Sequence, residues 1–252
     1  MDFSNKVVIV TGASSGIGAA SAILFAKYGA TLTIVGRDEE RLKNVAIQCQ
    51  EANGRPPLCI RLDLTDKGSC KAVISTTVAN YGRIDVLVNC AAKFLLGSLF
   101  DDTADVFDEL LNINLFVPYK LTHLALPHLI HAKGSIVNLS ATKYCRVRHG
   151  FLPFVVSKAA LEKFTESAAI ELAATGVRVN SIQPGVTRTN ILANLGLAEE
   201  DMEQAFEELT SEINILDANE VANMVVLLAS GICPSMNGVH IKLDGAQSLN
   251  FC

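Results

Sequence analysis

One string of the chain has the composition of a phosphate-binding turn. Thr11-Gly12-Ala13-Ser14-Ser15-Gly16-Ile17-Gly18 joins an apolar run that predicts a buried strand to a stretch that predicts a helix. Glycines let the backbone approach a pyrophosphate, and a helix start offers free N–H groups and the positive end of its dipole. The string therefore predicts a dinucleotide site, against the alternative of a plain tight turn. The expected contacts are Gly12, Ser14, Ser15, Gly16, Ile17 and Gly18.

The end of the second predicted strand bears on the choice of nucleotide. A carboxylate there would bind the ribose 2′-hydroxyl, but the chain has Gly36 followed by Arg37. Arginine can bind a 2′-phosphate through two parallel hydrogen bonds. The pattern favours NADP(H) over NAD(H), although Arg37 can also be a solvated residue at a helix start and Asp38 follows it directly.

Short apolar runs alternate with helical stretches along the whole chain. Each run is rich in Val, Ile or Leu and flanked by turn residues, which predicts seven buried strands. Strand–helix alternation predicts a doubly wound α/β Rossmann fold, a seven-stranded parallel sheet with helices on both faces. We found no linker or repeat, so residues 1–252 are predicted to form one domain. The predicted strands are 6–11, 31–35, 58–62, 86–89, 135–139, 177–182 and 239–243, and the predicted helices are 17–28, 38–52, 67–81, 104–115, 159–174 and 219–229.

Composition excludes several classes of function. The net charge is −5 without a basic block, so no nucleic-acid partner is expected, and the apolar runs are too short to span a bilayer. No signal peptide is evident at Met1, and seven cysteines without CxxC spacing favour a reduced, cytoplasmic protein. No Cys or carboxylate completes a metal shell with the histidines, so no metal is expected. The histidines in question are His123, His128 and His131.

Several motifs together resemble the short-chain dehydrogenase/reductase family over essentially the whole chain. They are the glycine string, Asp63-Leu64, Asn89-Cys90-Ala91-Ala92, Asn114, Lys158 and Pro184-Gly185. The resemblance implies that Asp63 and Leu64 hold the adenine and that Asn89 and Ala91 flank the ribose. It places Pro184, Gly185, Val186 and Thr187 at the nicotinamide carboxamide and a substrate lid at about 188–212. It also implies a homodimer or homotetramer.

The chain departs from the family at the reacting groups. The family uses a tyrosine to move the proton and a lysine four residues later to lower the tyrosine pKa and bind the nicotinamide ribose. It also uses a serine to bind the substrate oxygen and an asparagine in the proton relay. Lys158 and Asn114 match, but Phe154 stands at the tyrosine position and Ala141 at the serine position. Ser140 is an unsuitable substitute because it would point to the other face of its strand.

Substitute proton donors lie near these positions. Tyr144 is the first candidate, because a similar segment in 2,4-dienoyl-CoA reductases supplies a displaced tyrosine, and His149 and Lys93 are alternatives. Cys145 is a weaker candidate, a thiol without a neighbouring base. An enolate is easier to protonate than an alkoxide, so such a site suits an enone.

Three functions remain open from the sequence. The first is an NADP(H)-dependent oxidoreductase acting on a small apolar carbonyl or an enone or enoyl substrate. The second is a catalytically silent protein that binds NADP(H) and an apolar ligand as a sensor or carrier. The third is a pure assembly partner, which the intact phosphate loop disfavours.

Overall fold

The computed structural model describes residues 1–100, 104–142, 150–191 and 215–249. Its strands are β1 (Val7–Thr11), β2 (Thr31–Gly36), β3 (Leu58–Arg61), β4 (Val86–Asn89), β5 (Ser135–Leu139), β6 (Arg178–Pro184) and β7 (His240–Leu243). Its α-helices are α1 (Gly16–Lys27), α2 (Glu39–Asn53), α3 (Ser69–Tyr81), α4 (Ala104–Leu111), α5 (Val117–Ala132), α6 (Leu152–Leu172) and α7 (Ala218–Ala229).

The strands form one parallel sheet in the order β3-β2-β1-β4-β5-β6-β7. The chain winds outward from β1 in one direction and then, from β4 onward, in the other. This reversal leaves a crevice at the carboxyl ends of β1 and β4, where open sheets of this kind bind ligands. The predicted seven-stranded α/β fold is confirmed.

Alternation along the strands builds a core on each face of the sheet. In β1, Val8 and Val10 belong to one buried cluster with Phe25 of α1 and Val225 of α7. Ile9 points the other way, into the cluster that contains side chains of α3 and α5. The five central strands, β1, β2, β4, β5 and β6, are almost entirely buried, because both faces of the sheet are covered there. The edge strands β3 and β7 have no fully buried residue, so the prediction of seven buried strands was wrong for these two.

A buried carboxylate fixes the opposite, amino-terminal edge of the sheet. Asp85 is 2% exposed and accepts hydrogen bonds from Val7 N at 3.0 Å and Lys6 Nζ at 3.1 Å. Arg83 donates to both of its oxygens, from Nε at 2.8 Å and Nη2 at 2.7 Å. Burial opposes ionisation of Asp85, but these bonds hold its pKa below the ordinary value. Asp85 therefore ties the start of β1 to the segment before β4.

Two predicted helix boundaries were wrong. Helix α6 begins at Leu152, ahead of the expected residue 159, because Pro153 occupies its first turn, where a missing N–H costs nothing. The expected helix 104–115 is interrupted: α4 ends at Leu111 and a π-helical turn, Asn112–Phe116, leads into α5. No helix in the described part of the chain is long and apolar enough to span a membrane.

Candidate functional site

The glycine string forms a close-packed turn between β1 and α1. Gly12 has φ +65°, and a Cβ there would lie 2.8 Å from Ala91 Cα. A Cβ on Gly18 would lie 2.2 Å from Gly12 O. Helix α1 begins at Gly16 without a capping hydrogen bond from the Ser15 side chain. The backbone N–H groups at the helix start are thus not capped by Ser15, and the turn fits a pyrophosphate.

A cleft of about 580 Å³ opens at this turn. It runs from the glycine string across the ends of β2 and β3 to the segment after β4. The predicted cofactor residues that line it are Gly12, Ser14, Ser15, Gly16, Ile17, Gly18, Arg37, Asp63, Leu64 and Ala91. Its length and its position at the reversal of strand order fit an extended dinucleotide.

The cleft lining does not include the other predicted cofactor residues, which are Asn89, Lys158, Pro184, Gly185, Val186 and Thr187. Asn89 is buried and donates from Nδ2 to Asn138 Oδ1 at 2.8 Å, while its own Oδ1 has no hydrogen-bond partner among the described residues. The backbone of Pro184, Gly185 and Val186 follows β6, and Val186 N donates to Gln247 Oε1 at 2.8 Å. Thr187 is buried, and its hydroxyl donates to Gly185 O at 2.9 Å.

Two arginines line the cleft near the end of β2. Arg37 Nη1 is 3.4 Å from Asp63 Oδ2 and its side chain is 54% exposed. Arg41, on the first turns of α2, also lines the cleft and pairs with Asp38 at 3.0 Å. Sequence reasoning missed Arg41. Arg37 precedes the N-cap Asp38, Arg41 lies within α2, and the structure brings both to the cleft.

The pKa of Asp63 is set by opposing effects. Burial would raise it, but hydrogen bonds from the Thr65 hydroxyl at 2.6 Å and the Thr65 N–H at 2.9 Å, together with the charge of Arg37, hold it below its ordinary value. Asp63 is therefore ionised at neutral pH and can accept hydrogen bonds from a bound nucleotide.

Lys158 is a buried residue of α6 and is not among the residues that line the cleft. It is 5% exposed, and its Nζ donates to Leu139 O at 2.8 Å. The Nζ also stands over the ring of Phe154, 5.8 Å from the centroid. Burial lowers the pKa of Lys158 to about 8, against the attraction of Cys90 and Glu162. A lysine in this range titrates close to neutral pH.

Asn114 lies in the π-helical turn and joins two segments. Its Oδ1 accepts from Lys93 N at 3.0 Å, and its Nδ2 donates to Lys93 O at 3.1 Å and to Ser157 Oγ at 3.0 Å. The amide thereby holds the segment after β4 against α6. A π-helical turn frequently marks a functional position, since it displaces one residue from the regular helical path.

Phe154 and Ala141 give this region an apolar character. The Phe154 ring packs edge-on against Phe94 at 4.9 Å, and Phe94 packs in the same way against Phe151 at 5.1 Å. Val186, Ile191 and Ile215 complete this aromatic cluster. Ala141 follows β5, and the preceding Ser140 directs its hydroxyl to Glu162 Oε1 at 2.8 Å. The side chains of Phe154 and Ala141 contain no hydrogen-bond donor for a substrate oxygen.

The candidate substitute donors are placed as follows. Tyr144, Cys145 and His149 lie outside the described residues, as does most of the predicted lid. Lys93 lines the cleft, and its ammonium pairs with Glu109. Within the described ranges, no group of three or more His, Cys, Asp or Glu side chains is arranged to hold a metal ion.

Comparisons with known proteins cover nearly the whole chain. Residues 12–246 match the model of a family described as enoyl-(acyl carrier protein) reductase. The chain is 32% identical over 249 residues to a 3-oxoacyl-(acyl-carrier-protein) reductase of Thermotoga maritima, covering 97% of this chain and 98% of that protein. It is 28% identical over 248 residues to meso-2,3-butanediol dehydrogenase of Serratia marcescens, covering 98% and 96%.

The fold is similar to that of a solved relative. A short-chain dehydrogenase/reductase of unknown function from Caenorhabditis elegans, solved with cofactor, superposes with a TM-score of 0.90. The two are 33% identical, and the match covers 98% of this chain and 96% of the other.

Proposed function

The chain belongs to the short-chain dehydrogenase/reductase family, and from this premise we propose that it is an NADP(H)-dependent oxidoreductase with a non-standard proton donor. Its proposed substrate is a small apolar carbonyl, enone or enoyl compound. The observation that carries the proposal is the combination of two features. One is the cleft lined by the glycine turn, and the other is the buried Lys158, whose Nζ stands over the apolar ring of Phe154.

The nucleotide part of the proposal rests on the cleft. Bound NADPH supplies the hydride. The glycine turn and the start of α1 bind its pyrophosphate, Asp63 and Leu64 hold the adenine, and Asn89 and Ala91 flank the ribose. Arg37, with Arg41 beside it, binds the 2′-phosphate. The unpaired Oδ1 of Asn89 supports this assignment, because a buried acceptor gains stability from a donor that a ligand brings.

The substrate part rests on the aromatic cluster. Phe94, Phe151 and Phe154 pack edge to face, and we propose that these rings form the apolar side of the substrate site, which suits an apolar ligand. We assign Phe154 and Ala141 to the positions of the family's tyrosine and serine. Tyr144 is the proposed donor, and Asn114 and Lys158 are the remaining members of the catalytic group. A positioned general acid contributes about 10²–10⁴-fold, so an enolate, which needs a weaker donor, is favoured over an alkoxide.

The lid and the assembly are proposals of the same kind. We place the lid at about 188–212 in a single domain of 1–252. Exposed apolar side chains on the outer faces of the helices support a homodimer or homotetramer, and light scattering on the purified chain tests it. They are Phe116, Tyr119, Val156 and Ile170.

The direct test is NADPH oxidation over a panel of ketones, aldehydes and enones. Wild type is compared with the Ala141→Ser/Phe154→Tyr double variant, and Lys158→Met in each background serves as the negative control. We expect wild type to reduce enones, and the double variant to gain activity on ketones by about 10²-fold or more. NADPH titrations confirm that each variant still binds the nucleotide.

Two results would change the conclusion. If wild type binds NADPH but reduces nothing while the double variant turns over, the chain is a silent binder of nucleotide. If wild type turns over and Tyr144→Phe leaves the rate unchanged, Tyr144 is not the donor.

A further inference from the structure

A buried carboxylate lies one helical turn beyond Lys158. Glu162 of α6 is 2% exposed and faces the sheet. Its Oε1 accepts hydrogen bonds from Ser140 Oγ at 2.8 Å and from Gln183 Nε2 at 2.7 Å, donors from the ends of β5 and β6. Burying a carboxylate is costly unless it is hydrogen-bonded and near an opposite charge. Glu162 meets the first condition through these bonds, and Lys158, four residues earlier on the same helix, is a cation on which the charge of Glu162 acts.

Few titratable groups influence the protonation state of Lys158, and the Glu162 carboxylate is one of them. The titratable groups that act on Lys158 in the described structure are Cys90 after β4 and Glu162 on its own helix. Burial raises the pKa of the Cys90 thiol to about 12, so the thiol is neutral at working pH. Glu162 is therefore the group whose charge opposes loss of the Lys158 proton.

Within the described residues, no side-chain hydroxyl donates to or accepts from the Lys158 ammonium. Its Nζ faces the π-surface of Phe154, at 5.8 Å from the centroid, and one N–H is taken by Leu139 O. In a weakly polarisable site, a fixed charge acts strongly on a charge that develops during reaction. An ammonium held here can stabilise an oxyanion directly, while the proton comes from the proposed donor Tyr144.

We propose that Glu162 is a positioning residue that keeps Lys158 in its ammonium form, so that the ammonium stabilises negative charge developing on the substrate oxygen. The second clause rests on the proposed reductase function, whereas the first concerns the protein alone. Ser140 and Gln183 act through Glu162 by holding its carboxylate in place.

The first experiment titrates Lys158 directly in the nucleotide-free protein. Lysine labelled at Cε is followed by NMR against pH, and Lys158→Arg identifies the signal. We expect a wild-type midpoint near 8. In Glu162→Gln, which keeps the shape and an acceptor but removes the charge, we expect the midpoint to fall by ~1 unit or more. Glu171→Gln removes an exposed charge from the same helix and should leave the midpoint unchanged.

Each outcome of this titration decides the first clause. A folded Glu162→Gln protein with the wild-type midpoint overturns it. If that variant does not fold, the wild-type signal decides: a Lys158 that is already neutral at neutral pH overturns the proposal, and one that is still charged there supports it. Ser140→Ala removes a hydrogen bond to Glu162 but keeps the carboxylate. It should therefore lower the free energy of unfolding and shift the Lys158 midpoint less than Glu162→Gln does.

The second experiment measures kcat for NADPH-dependent reduction against pH. Activity should fall as pH rises through the Lys158 midpoint, and in Glu162→Gln the fall should come at lower pH. A drop of ~1 unit leaves about a tenth of Lys158 charged at the wild-type midpoint, a ~5-fold loss in kcat with little change in KM. A shifted NMR midpoint with an unshifted rate profile overturns the second clause. Absence of turnover in wild type refutes the reductase proposal, and the NMR result still decides the role of Glu162.

Discussion

Replacing Arg37 by Ala is expected to weaken NADPH binding and to leave NADH binding nearly unchanged. The guanidinium lies in the cleft just beyond the end of β2, about half exposed. Its ion pair with Asp63, at 3.4 Å, is long for a hydrogen bond. The guanidinium can therefore turn toward a 2′-phosphate without losing a strong interaction.

The size of the effect follows from this geometry. A hydrogen bond to a charged group contributes about 1.5–3 kcal/mol when it is shielded, and exposure reduces that contribution. We therefore expect a loss of about 1–2 kcal/mol, or about 5–30-fold in the Kd for NADPH. Arg41 is already paired with Asp38 at 3.0 Å, so Arg41→Ala should have the smaller effect.

The assay is titration of the nucleotide-free protein with NADPH and, separately, with NADH. Arg55→Ala is the matched control, since Arg55 is exposed, carries the same charge and does not line the cleft. Only Arg37→Ala should change the ratio of the two Kd values. An equal loss for both nucleotides, or no loss for NADPH, would refute the assignment of Arg37 to the 2′-phosphate.

Three further outcomes are expected. Gly12→Ala should reduce NADPH affinity more than about tenfold, because its Cβ would meet Ala91 Cα at 2.8 Å, whereas Gly54→Ala, also at positive φ but with nothing within 4 Å, should cost only stability. Asp85→Asn should lower the free energy of unfolding in urea by about 2 kcal/mol, since its partners are partly exposed; no change would contradict its role. Because the folded-state pKa of Asp85 lies below 3.8, this difference should be complete above about pH 4 and shrink as the pH falls through the folded pKa, as denaturation at several pH values will show.

The strands and the phosphate turn could be predicted from the sequence, because residues close together in the chain determine them. The central strands appear as short apolar runs because both faces of the sheet are covered there, and the bounds of all seven strands agree within a residue or two. The phosphate turn was predictable for a similar reason. Gly12 and Gly18 are needed by contacts within the turn and with the neighbouring Ala91, and glycine is the residue that satisfies them.

The parts that sequence did not predict depend on tertiary contacts. The break of the helix at Asn112–Phe116 lets Asn114 bond to Lys93 and Ser157, which are distant in the chain. Glu162 reads in the sequence as one more charged helix residue. Its burial becomes apparent only when β5 and β6 bring Ser140 and Gln183 to it.

Asn114 and Lys158 differ in how far their structural contacts account for the residue type. Asn114 uses both ends of its amide to join two segments, so the fold alone accounts for an asparagine there. Lys158 is different, because lowering its pKa from 10.5 to about 8 corresponds to about 3 kcal/mol of unfavourable burial of its charge. A methionine would fill the same space beside Phe154 without that cost. A buried lysine that destabilises the fold is explained most directly by a site that uses its charge.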